Sequence, residues 1–376
     1  MLDLQEIRKN IDEVDRELVK LFEKRMALTT SVAEYKMETG KKVLDREREQ
    51  AKLEAIEKLV ENDVNKRGIN EIFTQIMAAS RKYQYGLLEA NGNSKREPYM
   101  AVDELEKKDC KVVYQGVEGA YAYIALKRFF GEDADCYNVK TWREAMKAVE
   151  CGEADYAVLP IENSTAGNVV DVFDLLQEYN NYIVAETYLE VDHALLGVKG
   201  SAMDDIHMVC SHPQALMQCA KFLKEHEAWK QVEKTNTALS AKYVAEQGDK
   251  SIAAIASVEA AELYGLEVLK EKINTEEGNT TRFVIVSNKR MFLKNAGKVS
   301  ICFETEHTSG SLYDILSHII YNGLNMTKIE SRPIEGKAWQ FRFFVDFTGN
   351  IDDVNVKNAL RGIEEEALSI KLLGNY

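Results

Sequence analysis

Several common protein features are missing from this 376-residue chain, and each absence excludes a class of protein. No run approaches the ~18 consecutive apolar residues of a membrane-spanning helix. The first residues include Asp3 and Glu6, where a secretion signal carries bases, so export is not expected. The six cysteines form no CxxC pair. We therefore expect reduced thiols in a cytoplasmic protein.

Motifs that bind metals, nucleotides or nucleic acids are also missing. The sequence contains no HExxH, no His/Cys cluster, and neither a GxGxxG nor a GxxxxGK(S/T) loop. Its net charge of −14 argues against general affinity for nucleic acid or an anionic membrane. We expect no metal, no cofactor, and no nucleic-acid or membrane partner. Any enzymatic chemistry must then come from side chains.

Proline is scarce, and its distribution indicates a helical first region. The chain has four prolines, and none precedes Pro98. Residues 1–90 predict three helices: a long one over about 4–35, a second over about 45–62 and a third over about 69–87. Apolar residues along the first helix alternate at spacings of three and four, as in a coiled coil. Because three such helices bury too little alone, we expect an all-α intertwined homodimer or a higher homo-oligomer.

The pattern changes after residue 90. Residues 91–110 are polar and predict a linker. Residues 111–290 alternate strands and helices, which is typical of an α/β domain. Residues 298–376 have the order βαββαβ, which predicts an α+β ferredoxin-like domain. The sequence therefore predicts a multidomain protein.

Polar residues interrupt the apolar faces of the first region. Arg25 stands where the spacing requires an apolar residue, and Lys36 lies about three turns further on nearly the same face. On the third helix, Ser80 and Gln84 are one turn apart among apolar residues. Each alone is more often structural, but together with Arg8 they predict an anion-binding pocket. Arg8 lies about 100° round the helix from Arg25, so it could serve only the pocket of a dimer partner.

These positions resemble the all-helical chorismate mutases. The matches are I-R-x-x-I-D-x-x-D from Ile7, E-K-R ending at Arg25, Lys36, V-x-D-x-x-R-E from Val43, and the Ser80–Gln84 pair. The resemblance implies that chorismate is bound in an intertwined dimer by Arg8, Arg25, Lys36, Asp45, Arg48, Glu49, Ser80 and Gln84. It also implies that Lys36, Glu49 and Gln84 are catalytic. The arginines would bind the two carboxylates, which suits their forked geometry.

Three polar segments of the α/β region adjoin predicted strands. They are Pro160–Gly167, Ser211–Gln214 with Gln218 one turn on, and Asn279–Phe283. Each alone is explained as a helix cap or a strand entry. As a set they resemble prephenate dehydratase, through P-I-E-N-S, S-H-P-Q-x-x-x-Q-C and T-R-F. The turn at Gly116–Tyr123 departs from that family, because Ala122 stands where a serine is usual.

The dehydratase resemblance implies a two-lobed fold, like that of a periplasmic binding protein, with the site in the cleft. Thr281 would be the catalytic hydrogen-bond donor to the departing hydroxide. Arg282 would be a partner for a substrate carboxylate. The prephenate-binding residues implied are Glu162, Asn163, Ser164, Thr165, Gln218, Thr281, Arg282 and Phe283.

The last region resembles the ACT regulatory domains. A Gly310-Ser311-Leu312 turn stands where that family has G-A-L, and Glu330-Ser331-Arg332-Pro333 is its E-S-R-P motif. The resemblance implies a regulatory phenylalanine site formed by Gly310, Ser311, Leu312, Glu330, Ser331, Arg332 and Pro333.

Together, the three resemblances predict a bifunctional chorismate mutase–prephenate dehydratase with feedback inhibition by phenylalanine. One alternative keeps this architecture but makes arogenate the dehydratase substrate. Another is a non-enzymatic bilobed ligand sensor with a helical dimerisation arm. Arg25, Lys36 and the charge of −14 argue against that sensor, which would need a DNA-binding helix pair.

Overall fold

The computed structural model describes residues 3–92 and 98–376. The chain divides into two compact units, each taken here by itself. Unit 1 comprises Met1–Glu97 and Gly297–Lys371, and unit 2 comprises Pro98–Ala296 and Leu372–Tyr376.

The first region is helical, as predicted. The helices are α1 (Leu4–Thr39), α2 (Arg46–Glu57) and α3 (Lys66–Ala90). Gly40 ends α1 in a left-handed conformation, with φ of 68°, which only glycine adopts without strain. Asp45 caps α2 by accepting a hydrogen bond from the Arg48 amide at 3.1 Å. The α2 helix is shorter than predicted and ends before residue 62.

Unit 2 begins with a short strand that the sequence did not predict. Met100–Val102 forms strand β1, and Leu105 is buried, so this part of the predicted linker is ordered structure. Residues 93–97 of that linker lie outside the described residues. The following elements are β2 (Lys111–Gln115), α4 (Tyr121–Phe130), β3 (Asp135–Val139), α5 (Trp142–Glu150), β4 (Tyr156–Asn163), β5 (Gly167–Asn168), α6 (Val170–Glu178) and β6 (Tyr182–Glu190).

The chain then builds a second sheet before returning to the first. Its elements are β7 (Ala194–Gly197), β8 (Met208–Ser211), α7 (Pro213–Gln218), α8 (Ala220–Lys224), β9 (Lys230–Glu233), α9 (Thr237–Gln247), β10 (Ile252–Ala256), α10 (Val258–Tyr264) and β11 (Glu267–Lys270). They form a sheet of order β11-β7-β10-β8-β9. Strand β12 (Thr280–Ser287) returns between β6 and β4, and β13 (Met291–Leu293) pairs with β1.

Unit 2 therefore has two mixed sheets. The chain passes from the first to the second after β6 and returns to the first at β12. The first carries the order β6-β12-β4-β2-β3. Each sheet has its own apolar core, around Val158 and Ile285 in the first and Ala254 and Ile255 in the second. This arrangement confirms the predicted α/β class.

The C-terminal region has the predicted βαββαβ order. Its elements are β14 (Lys298–Glu304), α11 (Ser311–Tyr321), β15 (Met326–Pro333), β16 (Phe341–Thr348), α12 (Val354–Glu366) and β17 (Ser369–Asn375). Strand β16 lies between β15 and β14 and is antiparallel to both.

Within unit 1, helices α11 and α12 pack against α3. The sequence did not predict that the first and last regions would form one compact unit. A glycine permits the close approach of α11 to α12. A Cβ added at Gly362 would overlap the His318 ring. The predicted boundaries of the three domains remain predictions.

Candidate active sites

The main cavity of unit 2 lies between its two sheets and has a volume of about 580 Å³. Strands β4 and β12 supply one wall, which includes Asn163, Thr281 and Phe283. The second lobe supplies His193 and Gln218, among others. The two crossings of the chain therefore bring distant polar residues to one cleft, which has the size of an ordinary small-molecule site.

Thr281 and Asn163 form the polar centre of this wall. They face each other in the antiparallel register of β12 and β4, so their side chains share a face. Asn163 Nδ2 donates to Thr281 Oγ1 at 2.9 Å and to Asn279 Oδ1 at 2.7 Å. Asn163 Oδ1 accepts from the Ala166 amide at 2.8 Å. With both ends of the Asn163 amide fixed and Thr281 Oγ1 accepting, the Thr281 hydroxyl hydrogen is available to donate.

A chain of hydrogen bonds continues from this pair into the second lobe. Thr165 Oγ1 donates to Asn163 Oδ1 at 2.9 Å and accepts from Gln218 Nε2 at 3.0 Å. Gln218 Oε1 and His193 Nε2 are 2.9 Å apart, as are His193 Nδ1 and the Tyr121 hydroxyl. The Gln218 oxygen can only accept, so His193 carries its hydrogen on Nε2. Burial lowers the pKa of His193, which favours this neutral form.

Neither His193 nor Tyr121 was predicted to be a site residue. His193 stands between β6 and β7, outside any matched motif. His212 belongs to the Ser211–Gln214 segment, for which a helix cap was one explanation. It caps α7, with Nδ1 accepting from the Gln214 amide at 3.2 Å, and it also lines the cavity.

Glu162 and Arg282 face away from the pair formed by Asn163 and Thr281. Successive residues of a strand point to opposite faces, so Arg282 follows Thr281 onto the other side of β12. Its Nε donates to Glu186 Oε2 at 2.7 Å and its Nη2 to the Tyr376 hydroxyl at 2.7 Å, while Nη1 lies 3.7 Å from Glu162 Oε2. The expected role of Arg282 as a carboxylate partner in the cleft is thus at odds with its geometry.

Ser164 also differs from its predicted role. Its Oγ accepts from the Thr280 amide at 2.9 Å, which ties the loop after β4 to the start of β12. It therefore supports the wall rather than forming part of the cavity surface.

The predicted anion pocket of unit 1 is only partly assembled. Arg25 Nη1 donates to Ser80 Oγ and to the Ile76 carbonyl, the latter at 3.3 Å. Lys36 Nζ donates to the Val43 carbonyl at 2.7 Å. Burial lowers the pKa of both Arg25 and Lys36, while the nearby carboxylate of Glu49 opposes that shift. Two half-buried cations thus lie near one acidic side chain.

Gln84 adds an unusual polar group to this cluster. Its Nε2 donates to the Ser80 carbonyl at 3.2 Å. Its Oε1 is buried, and within residues 3–92 and 98–376 no hydrogen-bond partner reaches it. A buried acceptor without a partner costs free energy, so a ligand that satisfies it would be stabilised.

The remaining chorismate-site candidates lie further out. Arg48 and Asp45 are exposed at the start of α2, and Arg8 is exposed near the start of α1. Apolar residues around Arg8 are also exposed, including Leu4 and Ile11 at 58% and 53%. One chain therefore brings Arg25, Lys36, Glu49, Ser80 and Gln84 together, but not Arg8.

Another cavity, of about 420 Å³, lies at the start of α11 in unit 1. Gly310, Ser311 and Leu312 line it, together with Phe341 and Phe343 of β16. The Glu330–Pro333 segment lies on the neighbouring strand β15, where Ser331 pairs with Phe343 and Pro333 with Phe341. One part of the predicted regulatory motif therefore lines this cavity, and the other part lies on the strand next to β16.

Other site types find no support in the described part of the chain. Across residues 3–92 and 98–376, no group of three His, Cys, Asp or Glu side chains could hold a metal ion. None of the helices described there is both long and apolar enough to cross a membrane.

The cation cluster of the helical region and the cleft that contains Thr281 are together typical of an enzyme with two active sites. Residues 7–85 match the family model described as chorismate mutase type II, and residues 112–291 match the model described as prephenate dehydratase. The chain belongs to the family of bifunctional chorismate mutase/prephenate dehydratases, and both catalytic domains are present.

Individual relatives agree with this assignment. A bifunctional chorismate mutase/prephenate dehydratase of Enterobacter agglomerans is 32% identical over 98% of this chain and 95% of its own length. One from Aquifex aeolicus is 32% identical over 100% of this chain and 98% of its own. A crystal structure of prephenate dehydratase from Arthrobacter aurescens, in complex with L-Phe, is 30% identical. The match covers 71% of this chain and 89% of the Arthrobacter chain, with a TM-score of 0.66.

Proposed function

We propose that this chain rearranges chorismate to prephenate in its helical region and converts prephenate to phenylpyruvate in the cleft of unit 2, under feedback control by phenylalanine. The single observation that carries the proposal is the Thr281 hydroxyl. It faces a cavity of about 580 Å³ while its oxygen is held by Asn163.

The mutase step needs binding and charge stabilisation rather than proton transfer. In a pericyclic rearrangement the ether C–O bond breaks as a new C–C bond forms, and no atom is lost. Catalysis then rests on holding the compact conformer and stabilising charge on the ether oxygen. Arg25 and Arg48 would bind carboxylates, Lys36 and Gln84 would donate to the ether oxygen, and Glu49 would accept from the substrate hydroxyl. Asp45 and Ser80 would line the pocket nearby.

Gln84 suits this role because its amide can turn. Its buried oxygen, Oε1, has no hydrogen-bond partner in the described structure. Turning the amide exchanges oxygen and nitrogen, which are nearly equal in size. The nitrogen could then donate to substrate. The turn gives up the 3.2 Å bond to the Ser80 carbonyl and places the amide oxygen near that carbonyl, an unfavourable contact that the bond to substrate would have to outweigh.

A second copy of the chain would complete the mutase site. The apolar residues of α1 from Leu4 to Leu21 are exposed, and contiguous apolar surface of this kind marks an interface. A second α1 helix packed there would cover the surface and bring its Arg8 to the pocket of the first chain. This supports a homodimer as the smallest active assembly, or a higher homo-oligomer built from such dimers.

The dehydratase step needs a donor for the departing hydroxide. The ring C–O bond breaks, the carboxylate leaves as carbon dioxide, and the electron pair of the broken C–C bond completes the aromatic ring. Thr281 would donate a hydrogen bond to the oxygen as it leaves, aided by the stability of that ring. Asn163 would orient Thr281, and Phe283 would contact the substrate ring.

Another element can take the carboxylate role once expected of Arg282. Helix α9 begins at the cavity wall, where Thr235, Asn236 and Thr237 lie. The N-terminus of a helix carries partial positive charge and unpaired amide groups, which favour an anion. Gln218, held by His193, would provide a further polar contact.

Phenylalanine would bind the cavity at the start of α11. Its ring would pack on Phe341 and Phe343, and its carboxylate would lie at the α11 N-terminus near Gly310 and Ser311. The segment Glu330–Pro333 would border the same site in a paired assembly. The compartment would be the cytoplasm, which agrees with six cysteines that form no disulfide.

The test is to incubate the pure full-length protein with chorismate and identify the products by mass spectrometry and NMR. We expect prephenate to form transiently and then phenylpyruvate. A parallel incubation with arogenate distinguishes the alternative substrate, since it would yield phenylalanine. A protein that binds these compounds without converting any of them would support the sensor instead.

A further inference from the structure

Four side chains from four helices form a continuous polar chain in unit 1. Arg81 of α3 donates through Nη1 to Glu49 of α2, at 2.8 and 2.6 Å to its two oxygens. On its other side, Arg81 Nε donates to Glu366 Oε1 of α12 at 2.8 Å. Glu366 Oε2 lies 3.3 Å from Nε2 of His318 on α11. The chain therefore joins a proposed substrate-binding carboxylate to the C-terminal region.

The centre of this chain is buried and well paired. Arg81 is 8% exposed and Glu366 is 9% exposed. The Tyr85 hydroxyl donates to Glu366 at 3.3 Å as a further contact. Burial alone would raise the pKa of Glu366, but His318 and Arg81 hold that pKa at about 2. Glu366 therefore stays charged and can hold Arg81 over the whole working pH range.

Glu49 has few other contacts that fix its position. Ile56 is the one residue of α2 that is buried in the described structure, so apolar packing restrains this helix weakly. The bidentate bond from Arg81 is therefore the main restraint on the Glu49 side chain. The charge of Glu49 acts on both Arg25 and Lys36, so its placement affects the whole cation cluster.

We propose that Arg81 is a positioning residue of the mutase site, which holds Glu49 in place, and that Glu366 of the C-terminal region holds Arg81. The inference rests on the proposed role of Glu49 in binding chorismate. It adds that the mutase site depends on a carboxylate supplied from more than 280 residues further along the chain. No local pattern in the sequence indicates this dependence.

The test separates positioning from stability through a pair of variants. Arg81→Met removes the bond to Glu49 and leaves Glu366 without its main cation, so both mutase activity and Tm should fall. Arg81→Met/Glu366→Met replaces the buried ion pair with two apolar side chains, a change that buried pairs often tolerate. We expect Tm to recover in the double variant while mutase kcat/KM stays ~10²-fold below wild type.

Opposite outcomes overturn the proposal. If mutase activity recovers together with Tm in the double variant, Arg81 is merely structural. If the double variant does not fold, Arg81→Lys decides instead, because lysine keeps the charge but cannot bridge two carboxylates as a fork. We expect a mutase loss of about tenfold for Arg81→Lys at near-normal Tm. Full activity would overturn the proposal.

A matched pair of variants tests the role of Glu366. Glu366→Gln weakens the hold on Arg81, whereas Glu365→Gln removes a carboxylate from the same helix that pairs with Arg361 at 3.2 Å instead. Mutase kcat/KM should fall about fivefold in Glu366→Gln and stay near wild type in Glu365→Gln. Equal effects of the two substitutions would contradict the inference.

Wild-type protein provides the reference that keeps the two proposals distinguishable. A wild type that does not convert chorismate overturns the proposed function itself. A wild type that does, together with an Arg81→Met variant of normal mutase activity, overturns only the role of Arg81. Dehydratase turnover of added prephenate should stay unchanged in every variant, because its residues lie in unit 2.

Discussion

The two catalytic regions differ in how complete they are within one chain. In the cleft of unit 2, Thr281 is 8% exposed and joins a hydrogen-bond network that runs through Asn163, Thr165 and Gln218 to His193. In the helical region, the cations are half-buried and the apolar residues beside them are exposed, with Leu21 at 63%. The cleft residues are thus fixed by hydrogen bonds within their own chain, whereas exposed apolar residues adjoin the cation cluster.

This difference matches what each reaction requires. A single oriented donor can be built from neighbouring strands, because strand register fixes which side chains face each other. Enclosing a flexible dicarboxylate requires cations on several sides, which one bundle of three helices does not supply. If the chain forms the proposed homodimer, we expect the dehydratase site to tolerate separation of the subunits better than the mutase site does.

Arg25→Ala should cause the largest loss of activity, and the loss should be confined to the mutase. The half-buried Arg25 donates to Ser80 and lies near the carboxylate of Glu49. We expect a mutase loss of ~10³-fold, since charge-assisted bonds are the strong ones, with dehydratase activity on added prephenate unchanged. The control is Arg67→Ala, an exposed arginine at the start of α3. Near-normal mutase turnover in Arg25→Ala would show that the helical site is misassigned.

Thr281→Ala should cause the second largest loss of activity, and this loss should be confined to the dehydratase. Losing an oriented donor that acts in the transition state typically costs ~10²–10³ in kcat with little change in KM. Steady-state kinetics with prephenate measures both. Thr280→Ala is the matched control, because that side chain is on the opposite face of β12 and donates to the Gly278 carbonyl at 3.1 Å. A kcat drop of less than about tenfold would remove Thr281 from the chemistry.

Much of the fold could be predicted because its signals are local. Both helices of the C-terminal region occur in the predicted order, since Gly310 and Asp353 mark the starts of α11 and α12 and an apolar periodicity fills each helix. Short strands such as β1 and β13 were not predicted. They have three residues each, which is too short for an alternating pattern to be recognised.

The sites were predictable only where a motif fixed the residue. The pairing of Thr281 with Asn163 follows from two motifs on adjacent strands, and strand alternation could also have shown that Arg282 faces the other way. His193 and Arg81 could not be found in this way. Their partners Tyr121 and Glu366 lie 72 and 285 residues away, so tertiary folding alone brings them together.

Gly310→Ala tests the proposed effector site in unit 1. Gly310 has φ of 86° and lines the cavity at the start of α11, so an added Cβ strains the turn that would hold the phenylalanine carboxylate. We expect the phenylalanine concentration for half-inhibition of the dehydratase to rise about tenfold. Gly336→Ala is the matched control, with φ of 75° and a position outside the wall of this cavity. Equal shifts in both variants would point to general strain.

Mixed dimers should show the smallest change in mutase turnover, but they test most directly whether the mutase site needs a second chain. Arg8→Ala and Arg25→Ala chains, each with a different affinity tag, can be coexpressed and their mixed dimers isolated. If Arg8 serves the partner's pocket, each mixed dimer contains one intact mutase site and should recover about half of wild-type turnover. Mixed dimers of Arg25→Ala and Lys36→Ala should recover none, because these two residues lie on the same face of one helix. No recovery in the first pair would mean that one chain forms the mutase site alone. Recovery in the second pair would mean that Arg25 and Lys36 serve different pockets, which would contradict the proposed site.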